Sequence, residues 1–159
     1  MLHVVVLWLV NEEGALLVAQ RSHNKRQDPG VWGPSVTGKV EPGESREQAL
    51  TREVDEELGL AGSDYDPTFL TSFDFHHPDG EVRRFDIYSA EFPHAKTPMI
   101  TIAEDEVAGI DWRSIVSLEA QIQDEPESLV PSAGAVWPIT FAAIRDNASG
   151  TSASRFEPT

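Results

Sequence analysis

Residues 38–60 read GKVEPGESREQALTREVDEELGL, and this stretch decides how the chain folds. The Ser45 hydroxyl can accept a hydrogen bond from the free amides of a helix start, and Gln48, three residues on, completes a capping box. Gly59 suits the left-handed turn that ends a helix. Apolar side chains recur at four-residue intervals, at Leu50, Val54 and Leu58. The stretch therefore predicts a helix from Ser45 to Gly59 whose apolar stripe packs on a sheet.

The same helix carries three carboxylates, those of Glu53, Glu56 and Glu57. Because a helix turns by about 100° per residue, they lie within an arc of about 100°. Like charges placed in this way repel one another, so the arrangement requires a cation. Mg²⁺ suits such a face because it prefers oxygen ligands and keeps several waters, and Mn²⁺ can substitute for it. A solvated acidic helix face is the alternative for a lone Glu-x-x-Glu-Glu run.

The residues around these carboxylates favour the metal site over the solvated face. A glycine, five residues, a glutamate and seven residues precede the run Arg-Glu-Val-Asp-Glu-Glu-Leu-Gly-Leu, which begins at Arg52. This spacing resembles the Nudix box of the Nudix hydrolases at every constrained position. The resemblance implies an α/β fold, a Nudix-type α/β/α sandwich with a central mixed β-sheet. It also implies a hydrolase that cleaves a diphosphate linkage in a nucleotide or another nucleoside diphosphate derivative.

The resemblance also implies a role for each residue of the box. Glu53 and Glu57 are expected to bind the metal, Glu56 to be a further ligand or the catalytic base, and Gly38 to offer its carbonyl to the metal. Arg52 is expected to orient Glu53. The remaining constrained positions, structural in the motif, are Glu44 and Gly59.

Residues outside the box complete the predicted site. Glu106 is a second candidate for the base, because related enzymes often place an acidic residue a few positions before a tryptophan such as Trp112; a charged loop residue is the alternative. Arg21, Lys25 and Lys39 are candidate ligands of the substrate phosphates, although a surface cation needs no special function.

A second resemblance points to a different reaction. Residues 25–44, KRQDPGVWGPSVTGKVEPGE, are similar to type I isopentenyl diphosphate isomerases, which share the Nudix fold. The isomerase cysteine that handles the allylic proton corresponds here to Thr37, and its metal-binding histidine to Lys39. A threonine hydroxyl titrates far above a thiol and is a poor acid or base, so hydrolysis is favoured over isomerisation. A noncatalytic nucleotide-binding sensor is a third alternative.

The flanking sequence predicts the rest of the sheet. Residues 3–10 and 15–21 are interpreted as one hairpin, and residues 68–77 and 81–92 as another. Residues 22–34 are interpreted as a long loop, residues 107–112 as a strand and residues 114–123 as a helix. We expect Pro138 to break or restart the helical segment 132–146. His76 and His77 alternate across their strand, so at most one of them points inward.

Composition limits the remaining possibilities. The 159 residues predict one Nudix hydrolase domain, 1–147, and a disordered tail, 148–159. A net charge of −15 opposes binding to duplex nucleic acid and to anionic membranes. The absence of cysteine excludes disulfides and thiolate chemistry, and is consistent with a cytoplasmic protein. The predicted partners are a small nucleotide or organic diphosphate and, through sheet edges, a second copy in a homodimer.

Overall fold

The computed structural model describes residues 1–148 and confirms the predicted central helix, α1 (Arg46–Leu58). The Gln48 backbone N–H donates to Ser45 Oγ at 3.0 Å, and the Ser45 N–H donates to the Gln48 side chain at 2.9 Å. Gly59 follows the helix with φ 67°, in the left-handed region. Both ends of α1 therefore carry the predicted caps.

Within residues 1–148, seven strands form one mixed sheet, and α1 packs on one of its faces. They are β1 (Leu2–Val10), β2 (Leu16–Arg21), β3 (Trp32–Gly33), β4 (Val36–Lys39), β5 (Thr68–His76), β6 (Val82–Glu91) and β7 (Val107–Arg113). The other helices are α2 (Ile115–Asp124) and α3 (Ala133–Ala148), with short 3₁₀ turns at Gly62–Asp64, His94–Met99 and Pro126–Ser128. β1 runs parallel to β6, and the other strand pairs are antiparallel.

Helices cover both faces of this sheet. The side chains of β1 alternate, so that Val4, Val6 and Trp8 join the core under α2 and α3. Val5, Leu7 and Leu9 join the core under α1. All six are at most 5% exposed, because the strand is buried on both faces. The predicted α/β/α sandwich with a central mixed sheet is confirmed.

The predicted first hairpin is only partly formed. β1 and β2 pair at Val10 and Leu16 alone, and beyond that point β4 occupies the edge of β1. Buried Ser35 joins the diverging strands, because its Oγ accepts from the Leu9 N–H at 2.9 Å and donates to the Leu17 carbonyl at 2.6 Å. The predicted loop 22–34 also contains the two-residue strand β3. The second predicted hairpin, β5 with β6, is confirmed.

The predicted break at Pro138 is wrong, since α3 continues through it. Proline removes a single backbone N–H, the one that would bond to the carbonyl of Gly134 in the first helical turn, and its ring lies at the surface. Buried side chains on both sides of it keep the helix on the sheet, among them Trp137 and Phe141.

The last helix also bears on the predicted domain boundary. α3 includes Ala148, the first residue of the predicted tail, and residues 149–159 lie outside the described residues. Within residues 1–148, no helix combines the length and the apolar character needed to cross a bilayer.

Candidate active site

Arg52 lies at the centre of the site and bonds α1 to the segment before it. Its Nε and Nη2 donate to the two carboxylate oxygens of Glu44 at 2.7 and 3.0 Å. Nη2 also donates to the Lys39 carbonyl at 2.9 Å. Nη1 donates to Glu53 at 2.8 Å and to Glu56 at 3.3 Å. One guanidinium therefore fixes the orientation of three carboxylates, and the fork on Glu44 is the bidentate geometry that arginine favours.

Glu44 is the anchor of this network. Its side chain accepts the Arg52 fork and also the Glu41 backbone N–H at 2.9 Å. The hydrogen bond from Arg52 is the main cause that lowers the pKa of Glu44 to about 2, with the Glu41 amide second. Glu44 therefore remains ionised at any pH at which the protein is used, and serves the structure of the box.

Gly38 makes room for Glu53. A Cβ built on Gly38 would occupy the space of the Glu53 carboxyl group, so a side chain at this position would displace that group. Glu53 has only 14% of its side chain exposed. Glycine is thus required at this position so that the Glu53 carboxyl group can occupy its place. It is also required so that a ligand can approach the Gly38 carbonyl.

Glu57 is less exposed than Glu56, and the pKa of its carboxyl group is raised to about 9. Burial is the main cause, followed by a side-chain hydrogen bond with Glu53 and by the negative charges of Glu53 and Glu106. A hydrogen bond from the Thr37 backbone acts in the opposite direction. Nearby negative charges and burial thus favour the protonated form of Glu57, and a bound cation would favour its ionised form.

Glu106 reaches the site because its loop caps the end of α1. The N–H groups of Thr101 and Ala103 donate to the carbonyls of Leu58 and Glu57 at 2.9 and 3.1 Å. These bonds satisfy carbonyl groups that a helix end leaves free. The Glu106 carboxylate then forms an ion pair with Lys25 at 2.5 Å.

Gly38 and four of the carboxylates line one cleft of about 700 Å³. Its acidic end is formed by Glu53, Glu56, Glu57 and Glu106. Its other end runs between the sheet and α3, where the lining side chains include Val4, Phe85 and Trp137. A volume of this size accommodates a nucleotide-sized molecule, with charged groups at one end and apolar groups at the other.

The three predicted phosphate ligands all line the cleft, but their surroundings differ. Lys39 is exposed, and Lys25 is paired with Glu106. Arg21 donates through Nε and Nη2 to the carbonyl of Gln27 at 3.1 and 2.8 Å. Arg21 therefore orders the loop before β3.

The chemistry of the donors fits a divalent metal. Within residues 1–148, no three acidic or histidine side chains stand in an arrangement ready to hold an ion. The neighbouring Glu53 nevertheless raises the pKa of Glu57, so a dication bound beside the two carboxyl groups would replace the proton that Glu57 holds. Both groups, and the Gly38 carbonyl, offer the oxygen ligands that Mg²⁺ and Mn²⁺ prefer.

Sequence reasoning missed two groups of the cleft. Thr37 contributes its backbone to Glu57, and Arg83 lines the other end. Strand alternation is the signal that was available for Arg83, because Phe85, two residues on, belongs to the same buried face. Of the two histidines, His76 is exposed and His77 has 8% of its side chain exposed, so one of them points inward as predicted.

Comparison with known proteins agrees with this geometry. The family described as NUDIX domain matches residues 1–132. An isopentenyl-diphosphate Delta-isomerase of Klebsiella pneumoniae is 33% identical over 87% of this chain and 72% of its own length. The crystal structure of DR0079 from Deinococcus radiodurans has a TM-score of 0.71 at 24% identity, over 91% of this chain and 81% of that one.

A second solved structure shows the same fold. The MutT protein from Methanosarcina mazei Go1 has a TM-score of 0.66 at 21% identity, over 95% of this chain and 96% of that one. At these identities the two solved structures establish the fold alone.

Proposed function

The chain belongs to the Nudix hydrolase family, and from that premise we propose that it is a magnesium-dependent enzyme that cleaves the diphosphate linkage of a nucleotide or another nucleoside diphosphate derivative. The observation that carries the proposal is the Glu53 carboxyl group, which lies against Gly38, accepts from Arg52, and raises the pKa of the neighbouring Glu57. This arrangement is unfavourable without a cation, and it has no evident structural purpose.

Each group of residues in the site has its own role in this proposal. Glu53, Glu57 and the Gly38 carbonyl would hold the metal, which would offset the phosphate charge and lower the pKa of a water molecule. Arg52 keeps Glu53 turned toward Gly38 through its 2.8 Å bond. Lys25 and Lys39 offer positive charge to the phosphate oxygens from the walls of the cleft.

A carboxylate must accept the proton of the water that attacks phosphorus, and two are available. Glu56 is 54% exposed and lies 3.3 Å from Arg52, whereas Glu106 is paired with Lys25. Glu56→Gln and Glu106→Gln distinguish them. The variant without the base loses kcat together with the ascending limb of its pH–rate profile, and the other variant keeps the limb.

The test of the function is a substrate panel. Nucleoside triphosphates, nucleotide sugars, dinucleoside polyphosphates and prenyl diphosphates are incubated with the protein, with and without Mg²⁺. We expect release of phosphate products from at least one nucleotide, only with metal, and none from Glu57→Gln. Tight nucleotide binding without turnover of any member would instead support the sensor alternative.

Isomerisation of a prenyl diphosphate is the second candidate, and the isomerase relatives favour it. Thr37 and Lys39 argue against it, because neither side chain reproduces the thiol or the imidazole of the isomerases. Product analysis separates the two reactions, since isomerisation conserves the diphosphate ester and hydrolysis releases phosphate.

A further inference from the structure

The outer strand β5 has a free hydrogen-bonding edge. It ends the sheet beside β6, and within residues 1–148 no other segment forms backbone hydrogen bonds with it. From Thr71 to His76 its register with β6 is continuous, so alternate N–H and carbonyl groups along this run point outward. Proteins usually protect such an edge with proline, lysine or another charge, because it is a template for a further strand. β5 contains no proline or lysine, and its Asp74 carboxylate accepts from Arg84 at 2.7 and 2.9 Å, so the edge is open to pairing.

Large apolar side chains along this strand are only partly buried. Leu70, Phe73 and Phe75 pack against the core between the sheet and α3, yet each of them stays partly exposed. Among the strands, α3 lies closest along β5. The helix therefore shields these side chains incompletely at the outer strand of the sheet.

The helix over this strand is apolar on its solvent side as well. Residues 133–144 read AGAVWPITFAAI and include no charged side chain, although Asp, Glu, Lys and Arg make up 25% of the chain. Ala135, Pro138, Ile139 and Ala142 recur at helical spacing and are exposed, Ile139 to 44%. A helix that is apolar all round is normally covered on every side. Within residues 1–148, nothing covers this side of α3.

We propose that β5 and α3 form the interface of a homodimer, in which β5 pairs antiparallel with β5 of a second copy. A two-fold axis perpendicular to the sheet generates this pairing and keeps both α3 helices on the same face of one continuous sheet. With the two strands about 4.8 Å apart, helices set slightly back from them come within the distance of about 8–10 Å at which helices pack. One contact thus satisfies the free edge of β5 and covers the apolar side of α3. The proposal assigns the homodimer expected from the sequence to one edge of the sheet and adds a helix to the contact.

Charge and hydrogen bonding favour a second copy as the occupant. A chain with a net charge of −15 repels its own copy except where charge is absent or paired. β5 and residues 133–144 form such a region, because Asp74 pairs with Arg84 and the helical segment is uncharged. A bilayer would cover the helix but would leave the strand edge without hydrogen bonds. A second copy supplies an edge of the same length and the same apolar side chains.

The size of this face predicts a weak and reversible dimer. α3 has 16 residues, so it is about 24 Å long at about 1.5 Å per residue. The sheet and the helix layer are each about 10 Å thick, so the face measures ~480 Å² before the relief of its side chains is counted. Specific interfaces begin near about 600 Å² per partner. We therefore expect a Kd on the order of 1–100 μM.

The test introduces a lysine into the proposed interface and makes the same change outside it. Ile139→Lys places a charge on the exposed side of α3, and Thr71→Lys places one on β5. Each variant adds an unpaired charge to an apolar contact, so both should dissociate the dimer. Val116→Lys is the matched control, because it changes the net charge equally and Val116 is 69% exposed on α2. That helix follows β7, which pairs with β2 on the other side of β1 from β5.

Sedimentation velocity measures the oligomeric state of the full chain from about 1 to about 500 μM, and thermal unfolding checks that each variant is folded. We expect the wild type and Val116→Lys to shift from monomer to dimer over this range with equal Kd. For Ile139→Lys and Thr71→Lys the Kd should rise at least about 10-fold, which corresponds to about 1.4 kcal/mol. Amide hydrogen exchange of the wild type should slow in β5 as the concentration rises, while exchange in α2 stays the same.

A wild type that is monomeric throughout this range would overturn the proposal. So would a dimer that both interface variants retain, or a dimer whose β5 amides gain no protection. Monomeric protein that binds phosphatidylcholine vesicles, and loses this binding in Ile139→Lys, would assign the apolar side of α3 to a bilayer instead. Because none of these measurements needs a substrate, the outcome is independent of the proposed hydrolase activity.

Discussion

Replacing Glu57 by glutamine should stabilise the metal-free protein while it abolishes turnover. The pKa of this carboxyl group is raised to about 9 by burial, by the hydrogen bond with Glu53 and by the charges of Glu53 and Glu106. The unfolded chain has the ordinary value of 4.5. Between these two values the folded state keeps a proton that the unfolded state releases, so the free energy of unfolding falls as the pH rises through this window.

The magnitude follows from the two pKa values. About 2.5 pH units separate 4.5 from pH 7, and each is worth about 1.4 kcal/mol, so the wild-type carboxyl group costs ~3 kcal/mol at pH 7. At pH 5 the cost is only about 1 kcal/mol. Glutamine removes the ionisation and can still donate to Glu53. For a domain of this size, ~3 kcal/mol corresponds to a rise in Tm of roughly 6–12 °C.

The assay is thermal and urea unfolding in EDTA at pH 5 and at pH 7. Glu57→Gln should exceed the wild type in stability at pH 7 and nearly equal it at pH 5. Mg²⁺ should raise the Tm of the wild type and leave the variant unchanged, because the variant lacks a ligand. Asp55→Asn, an exposed change on the same helix, is the control and should match the wild type. Equal stability of Glu57→Gln and the wild type at pH 7 in EDTA would refute the reasoning.

Three further substitutions test the residues that hold the carboxylates and the neighbouring strands in position. Arg52→Lys keeps the charge but loses the bidentate fork, so kcat should drop about 10- to 100-fold with Mg²⁺ saturating; wild-type kcat would contradict this. Gly38→Ala places a methyl group where the Glu53 carboxyl lies, so steady-state kinetics should show a lost kcat. Gly109→Ala, whose Cβ would have Gln20 Oε1 at 4.0 Å as its nearest neighbour, should stay active. Ser35→Ala leaves the buried Leu9 N–H and the buried Leu17 carbonyl unpaired. Urea unfolding should therefore show that the free energy of unfolding falls by roughly 2–4 kcal/mol. A fall of less than about 1 kcal/mol would mean that water replaces the hydroxyl.

The sequence was most informative where local signals agree. For α1, the cap at Ser45, the glycine at 59 and the apolar stripe all predict the same thirteen-residue helix, and the structure has it. Once the helix was predicted, the grouping of Glu53, Glu56 and Glu57 followed from its period alone. Local propensity and fold coincide here, which is the condition under which sequence reasoning succeeds.

Sequence reasoning failed where a distant segment decides the local structure. β4 inserts beside β1 because the pairing from Val4 to Leu7 satisfies its backbone, a non-local contact that leaves no periodic signal in four residues. Pro138 was expected to interrupt α3, but the buried side chains around it compensate for one missing hydrogen bond. Two buried side-chain atoms that have no hydrogen-bond partner within residues 1–148, His77 Nε2 and Arg83 Nε, depend on tertiary packing, and no spacing in the sequence indicates them.

The hydrogen bonds at the end of α1 also hold the loop of Glu106 close to Glu57, despite the repulsion between the two carboxylates. The backbone of the loop that carries Glu106 is tied to α1 by the bonds to the carbonyls of Leu58 and Glu57, and moving it away would leave two helix-end carbonyls unpaired. Relaxing the electrostatics by a backbone movement therefore costs hydrogen bonds. Such a conflict, between the repulsion of the carboxylates and the backbone that holds them together, is expected where function imposes it. A dication resolves the conflict without moving the backbone, so metal binding should raise stability with little change in structure.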